Sequence, residues 1–199
     1  RLDVDGEILL RGTPVMRGYH NQPAETAAAF TEDGFFRTGD IGELDAAGFL
    51  RITDRKKDLV KTSGGKYIAP SYIEGLFKAI CPYSSQVVVI GQARNFCTML
   101  LTLDPDAVAG WAAGTPLAGK SHAEIVVSAE MQAIVAGHVK ELNQQLNRWE
   151  TIKKFTILQR DLTIEDGEMT PSMKIKRRRV EANFSDQIDK MYEGALAEL

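Results

Sequence analysis

Apolar and polar positions alternate in "EILLR" (Glu7 to Arg11) and "GFLRI" (Gly48 to Ile52), the period of two that marks a strand with one buried face. Glycine-rich turns lie between them, and "PAETAAAF" breaks the β-rich opening with one helical stretch. From Asp54 the pattern changes. "DRKKDLVKTSGGKYI" carries five basic residues in fifteen without an apolar period, which predicts an exposed connector, then two short extended pieces around a Thr-Ser-Gly-Gly turn. Pro70 suits the first position of a helix, "PSYIEGLFKAI", whose Tyr72, Ile73, Leu76, Phe77 and Ile80 form one stripe ending before Pro82. "QVVVIG" and "CTMLLTLD" are continuous aliphatic runs and predict buried strands of one small sheet, with "ETIKKFTIL" as a further strand. Residues 105–147 are Ala-rich and predict helices, and a last amphipathic stretch runs from about Asn183 to Leu199. The fold class expected is α+β: a β-rich portion, then a small domain with a central sheet of about three strands, a β-hairpin and flanking helices.

Composition narrows the function classes. With 199 residues, 44% of them hydrophobic and 26% charged, the chain can bury a core as one domain or two small ones. A net charge of −3 gives no global attraction to nucleic acid, so none is expected as a partner and any anion site must be local. No apolar run approaches the roughly 18 residues needed to span a bilayer. Two cysteines, Cys81 and Cys97, are too few for a disulfide framework and suit a reducing, cytoplasmic compartment, with peripheral membrane association left open. A strand pattern that begins almost at Arg1 gives the expectation of a piece cut from a longer protein.

"GTPLAGKS", Gly114 to Ser121, fits the phosphate-loop pattern G-x-x-x-x-G-K-[ST] letter for letter. A working phosphate loop follows a buried strand directly, so that strand end and helix start aim N–H groups at phosphate. Here "AVAGWAA" precedes it, and the strand "MLLTLD" lies about ten residues too early. A loop made by Gly114, Pro116 and Gly119, followed by a helix capped by Ser121 with Glu124 in a capping box, accounts for the same letters.

Three other stretches are more informative: "GEILLRGTPVMRGYHNQPAET", "GFFRTGDIGELDAAGFLRITDRKKDLVKTSGGKYIAPSYIE" (Gly34 to Glu74) and "TPSMKIKRRR" (Thr170 to Arg179). In order and spacing they resemble the C-terminal third of the adenylate-forming superfamily, and within it the long-chain fatty acyl-CoA synthetases. The resemblance implies domains at 1–56, the end of a large AMP-binding domain, and 57–199, a lid domain with a helical insertion at about 105–147. It implies that Asp40, in "RTGD", grips the paired ribose hydroxyls of a nucleotide; taken alone, Asp40 would be read as closing a tight glycine turn. Arg55 would reach the ribose or phosphate, a task suited to a fixed charge with forked donors. Lys57 would be the hinge. Thr62, Ser63, Gly64 and Gly65 would guide the pantetheine arm of CoA, although a plain hairpin turn satisfies the same glycines. Lys174 would bridge substrate carboxylate and α-phosphate as the acyl-adenylate forms, while Arg177 to Arg179 suit a solvated basic face. No residue of the chain is assigned as a metal ligand.

The same resemblance implies a two-step reaction: ATP and a fatty acid give acyl-AMP and pyrophosphate with Mg²⁺, and the thiol of CoA then displaces AMP, the lid turning between steps. The phosphate loop, the aromatic ATP segment and the acyl pocket of the family would lie upstream, in an N-terminal domain of the same chain, so the 199 residues would fold without catalysing. Three alternatives stand beside this: a fatty acid-adenylating enzyme serving a carrier protein, a phosphate-loop NTPase using Gly114 to Ser121, and a non-catalytic module gripping anions through Lys174 to Arg179.

Overall fold

The structure, a computed structural model, describes residues 1–194. The predicted C-terminal helical stretch therefore falls partly outside the described residues. The chain divides into two compact units, Arg1–Leu59 and Val60–Leu199.

The first unit is a three-stranded antiparallel sheet in the order β1 (Glu7–Leu10), β2 (Phe36–Leu44), β3 (Leu50–Arg55), with a short helix α1 (Pro23–Ala28) between β1 and β2. Ile8 and Leu9 are the buried apolar residues of β1. "RTGD" is not the tight turn the sequence suggests. It lies within β2, where Leu9 pairs with Arg37 but Glu7 pairs with Ile41, so the strand bulges over Thr38 to Asp40. Gly39 adopts a φ of +71° at the bulge, a backbone region in which a side chain would be strained. The glycine signal was genuine, but the chain bends there without reversing. The reversal between β2 and β3 comes later, where Asp45 accepts hydrogen bonds from the N–H groups of Ala47 and Phe49. A 3-10 turn, Lys56–Asp58, ends the unit.

The second unit opens with the expected hairpin, β4 (Val60–Lys61) and β5 (Tyr67–Ile68), and the expected helix, α2 (Pro70–Ile80), which buries Ile73 and Phe77. Its sheet runs β6 (Ser84–Ile90), β7 (Cys97–Leu103), β8 (Ile152–Ile157), with β6–β7 antiparallel and β7–β8 parallel. β7 is buried along its whole length, as its unbroken apolar run requires. The period of two divides its side chains between two cores. Cys97, Met99, Leu101 and Leu103 join Ile73, Phe77 and Val135 on one face, while Leu100 joins Val88, Met169, Val180 and Phe184 on the other.

Because β7 and β8 are parallel, no tight turn can join them; such a pair needs a crossover of a dozen residues or more. The helices α3 (Pro105–Ala112), α4 (His122–Val126) and α5 (Ala129–Asn143) supply it. α5 buries Met131, Val135, Val139 and Leu142 in the first core. Its last residue is stitched to β8: the Asn143 amide donates to the Ile152 carbonyl at 2.9 Å and accepts from the Ile152 N–H at 2.8 Å. This helical segment therefore connects the sheet and walls one core. α6 (Arg177–Asn183) and α7 (Ser185–Tyr192) close the second core through Val180, Ile188 and Met191. The amphipathic pattern thus begins six residues earlier than the sequence suggests, and it breaks at Phe184, the residue between the two helices.

Candidate functional site

In the first unit, β2–β3 register sets Asp40 opposite Arg55, and the two side chains meet, Arg55 Nε lying 2.7 Å from Asp40 Oδ1. The guanidinium is largely exposed and the carboxylate a quarter exposed, so both retain faces turned to solvent. The N–H of Asp40 donates to Thr38 Oγ1 at 3.0 Å, and that hydroxyl donates to the Ile8 carbonyl at 2.8 Å. Behind the bulge sits a residue the sequence did not flag. Glu7 is 2% exposed, and its carboxylate accepts from the Gly39 N–H at 3.0 Å, from Arg37 at 3.3 Å and from Lys56 Nζ at 2.9 Å. Burial alone would raise its pKa; Lys56, the Gly39 N–H and Arg37 more than offset that and hold the group below its usual value. Lys56 lies 49 positions from Glu7 in sequence, so no local signal could have joined them.

Lys56 also reaches Asp5 Oδ2 at 2.6 Å. Asp3, Asp5 and Glu7 bring carboxylate oxygens within 4.8 Å of one another, but Lys56 and Arg37 already pair with all three and offset two of the three negative charges. That arrangement does not fit Mg²⁺, which demands near-octahedral oxygen ligands and tolerates no ammonium among them. Lys57 follows, exposed in the 3-10 turn, with Asp58 and Leu59 between it and the start of the second unit at Val60.

The Thr62 to Gly65 turn joins β4 to β5. Thr62 is buried and closes the turn with main chain and hydroxyl: its N–H donates to the Lys66 carbonyl at 2.9 Å, and its Oγ1 accepts from the Lys66 N–H at 3.1 Å. Gly65 turns the chain with φ +78°. Ser63, Gly64 and Gly65 are exposed, and Ser63 ties the turn to the β6–β7 loop through the Arg94 carbonyl and the Asn95 side chain.

Lys174 stands on the loop between β8 and α6. The Thr170 N–H donates to the Lys174 carbonyl at 2.8 Å, and Thr170 Oγ1 accepts from the Lys174 N–H at 3.0 Å. A bridge between Met169 and Ile175 closes the loop's base. Lys174 itself is exposed, and among the described residues no ion pair engages its ammonium. Below it, Glu168 is fully buried, with both carboxylate oxygens saturated: Arg160 bonds them bidentately at 2.7 and 2.8 Å, Asn183 Nδ2 at 2.9 Å and the Thr163 N–H at 3.0 Å. Arg160, outweighing the cost of burial, pulls the Glu168 pKa down to about 2. Arg177 departs from the solvated face expected of it. It is half-buried, bonding Glu74 at 2.7 Å and the Val89 carbonyl at 2.8 Å, while Arg178 and Arg179 are exposed.

Gly114 to Ser121 has neither strand before it nor an open amide nest after it. Helix α3 precedes it, and Ser121 caps α4 in a capping box with Glu124. Among the predicted residues, then, the structure joins Asp40 to Arg55, and presents the Thr62 to Gly65 turn and Lys174 on separate exposed loops of the second unit.

The family described as AMP-binding enzyme C-terminal domain matches residues 57–196. The chain belongs to that family. A curated long-chain-fatty-acid–CoA ligase of Mycobacterium tuberculosis is 42% identical over 193 residues, 96% of this chain and 32% of the relative. The peroxisomal long chain acyl-CoA synthetase 6 of Arabidopsis thaliana is 34% identical over 190 residues, covering 94% and 27%. This AMP-binding C-terminal domain chain thus spans between about a quarter and a third of the length of the curated relatives it matches. Among solved structures, the A-PCP didomain of carboxylic acid reductase from Segniliparus rugosus, in complex with AMP, superposes with a TM-score of 0.67 at 27% identity, over 97% of this chain and 25% of that one. Apo MatB from Rhodopseudomonas palustris gives 0.59 at 27% identity, over 91% and 30%. No helix among the described residues is long and apolar enough to cross a membrane.

Proposed function

We propose that this chain is the C-terminal part of a long-chain fatty acid–CoA ligase, which activates a fatty acid with ATP as acyl-AMP and passes the acyl group to CoA. The substrate class follows from the curated relatives' names. The chemistry rests on one observation: an exposed lysine, Lys174, on a loop held by its bonds to Thr170 and by the Met169–Ile175 bridge, with the buried, hydrogen-bonded Glu168 beneath.

Acyl-AMP forms when a carboxylate oxygen attacks the α-phosphorus of ATP and pyrophosphate leaves. Two anions must approach, and negative charge gathers on the phosphorus oxygens. An ammonium held there in advance stabilises that arrangement without reorganising, an effect worth about 10²–10³ in rate. Lys174 takes this role. Asp40 accepts the ribose hydroxyls through its two oxygens, and Arg55 moves from Asp40 to the nucleotide or holds the carboxylate oriented towards it. In the second step the CoA thiol loses its proton to solvent, its sulfur attacks the acyl carbon, the carbonyl re-forms and AMP departs with the electron pair. Lys174 has no part in that step. The Thr62 to Gly65 turn, with no side chain on Gly64 or Gly65, lets main chain lie against the thin pantetheine arm. One small domain presents first one loop and then the other by turning about Lys57. Mg²⁺ would neutralise the leaving pyrophosphate; the described residues offer it no ligand set.

The exposed apolar side chains of the first unit support an upstream body of the same chain. Leu44, Phe49, Leu50 and Ile52 are 55%, 74%, 47% and 63% exposed on the β2–β3 hairpin, where an N-terminal domain would cover them. The test is direct. The full-length protein should release pyrophosphate from ATP only when a long-chain fatty acid is added and should form acyl-CoA once CoA is supplied, whereas residues 1–199 alone should form none. Absence of fatty acid-dependent pyrophosphate release contradicts the reading.

A further inference from the structure

We propose that the ion pair between Arg160 and the buried Glu168 is a positioning device for Lys174, acting on acyl-AMP formation and not on thioester formation. This rests on the role given to Lys174 above.

The pair lies where three segments converge. Arg160 follows the end of β8, Thr163 belongs to the next turn and Asn183 ends α6; all three donate to the Glu168 carboxylate. The main chain of Glu168 is fixed as well, its N–H donating to the Thr163 carbonyl at 3.0 Å and its carbonyl accepting from the Lys176 N–H at 2.7 Å. Glu168 thus anchors the segment that enters the Lys174 loop and the segment that leaves it. The Met169–Ile175 bridge is the next rung, and Lys174 stands one residue beyond it.

The loop needs such an anchor. Met173, next to Lys174, has a φ of +60°, a left-handed backbone that a side chain other than glycine rarely adopts. A strained residue of this kind persists only where its surroundings over-determine it. Here the turn bonds of Thr170 and the clamp beneath supply that constraint. Glu168 is not required for the hydrophobic core, since Met169, Val180 and Phe184 already pack there, and taking its carboxylate out of water carries a desolvation cost that the half-exposed Arg160 and the other donors must offset. What the pair adds is direction. Bidentate Arg–carboxylate geometry fixes two planes against each other, and Arg160 also lies over the Phe184 ring, 5.0 Å from its centroid. Lys174 therefore projects from a base bonded on both of its sides.

The experiment compares Glu168→Gln, Asn183→Ala and Lys174→Ala in the full-length enzyme, measuring pyrophosphate release with ATP and fatty acid and, separately, thioester formation from supplied acyl-AMP. The Glu168→Gln side chain is nearly isosteric, but its NH₂ faces donors, and Arg160 keeps only its longer pairing with Asp166 at 3.3 Å. Displacing a catalytic group by about 1 Å can cost on the order of 10² in rate. Acyl-AMP formation should accordingly fall by about 10-fold or more while thioester formation stays within about twofold. Asn183→Ala removes one donor from an exposed helix end, leaves the Arg160 pair in place and should give a smaller fall with the same selectivity; it decides the matter if Glu168→Gln does not fold. Equal losses in both half-reactions, or acyl-AMP formation at the parent rate, overturn the proposal. Should Lys174→Ala itself leave acyl-AMP formation intact, the role of Lys174 falls, and that outcome is distinct from failure of the clamp alone.

Discussion

At the scale of single residues, two carboxylates of opposite character mark the chain. Asp40 pairs with Arg55 at the surface, where such a pair contributes only about 0–1 kcal/mol to stability. Asp40→Asn should therefore leave the melting temperature of the full-length enzyme unchanged while raising its KM for ATP at least tenfold; a fall in melting temperature with no change in KM would assign Asp40 to the fold instead. Glu168 is the reverse case, buried and saturated. Its folded-state pKa of about 2 lies below the unfolded value, so its contribution is complete above about pH 4.5 and is lost as pH falls towards 2. Acid unfolding of Glu168→Gln, measured by circular dichroism, should accordingly show a shallower loss of stability across that window than the parent. Identical slopes would mean that Glu168 is not ionised in the folded protein. Asp40, Arg55 and Lys174 stand out in the sequence because each lies in a short stretch that resembles a family motif; of these, the structure adds the contact between Asp40 and Arg55. Glu7 and Glu168 do not stand out, because their importance comes from partners the fold brings in, and a glutamate beside glycine looks the same whether buried or solvated.

At the scale of elements, most of the second unit could be read from period alone. The helix at Pro70, the hairpin around Thr62 to Gly65 and all three strands of the sheet were legible in apolar spacing. Two features needed the structure. β2 hides behind "RTGD", since a glycine of positive φ signals a turn and a bulge equally well. The helices α3 to α5 are legible as helices, but nothing local reveals that β7 and β8 are parallel and that these helices form the long path between them. Phe77 shows how strongly α2 is tied to the sheet: it is fully buried, and truncating such a side chain costs about 3–5 kcal/mol. Phe77→Ala should destabilise the Val60 to Gly194 unit by that amount in urea denaturation, and a loss below about 1 kcal/mol would mean that the first core repacks around the gap.

At the scale of the whole molecule, the proposed lid offers two loops in turn. Lys57 lies in an exposed 3-10 turn just before the compact unit that begins at Val60, where a change in backbone angles disrupts no buried packing. Lys57→Pro fixes φ near −65° and should slow thioester formation more than acyl-AMP formation in single-turnover assays; equal rates of thioester formation in variant and parent would move the hinge elsewhere. The central claim is that Lys174 serves one half-reaction only. Its most direct test is Lys174→Ala in the full-length enzyme, with pyrophosphate release and thioester formation from supplied acyl-AMP followed side by side. A fall of about 10²–10³ in the first and little change in the second is the expected result; a comparable loss in both, or none in the first, would contradict the claim.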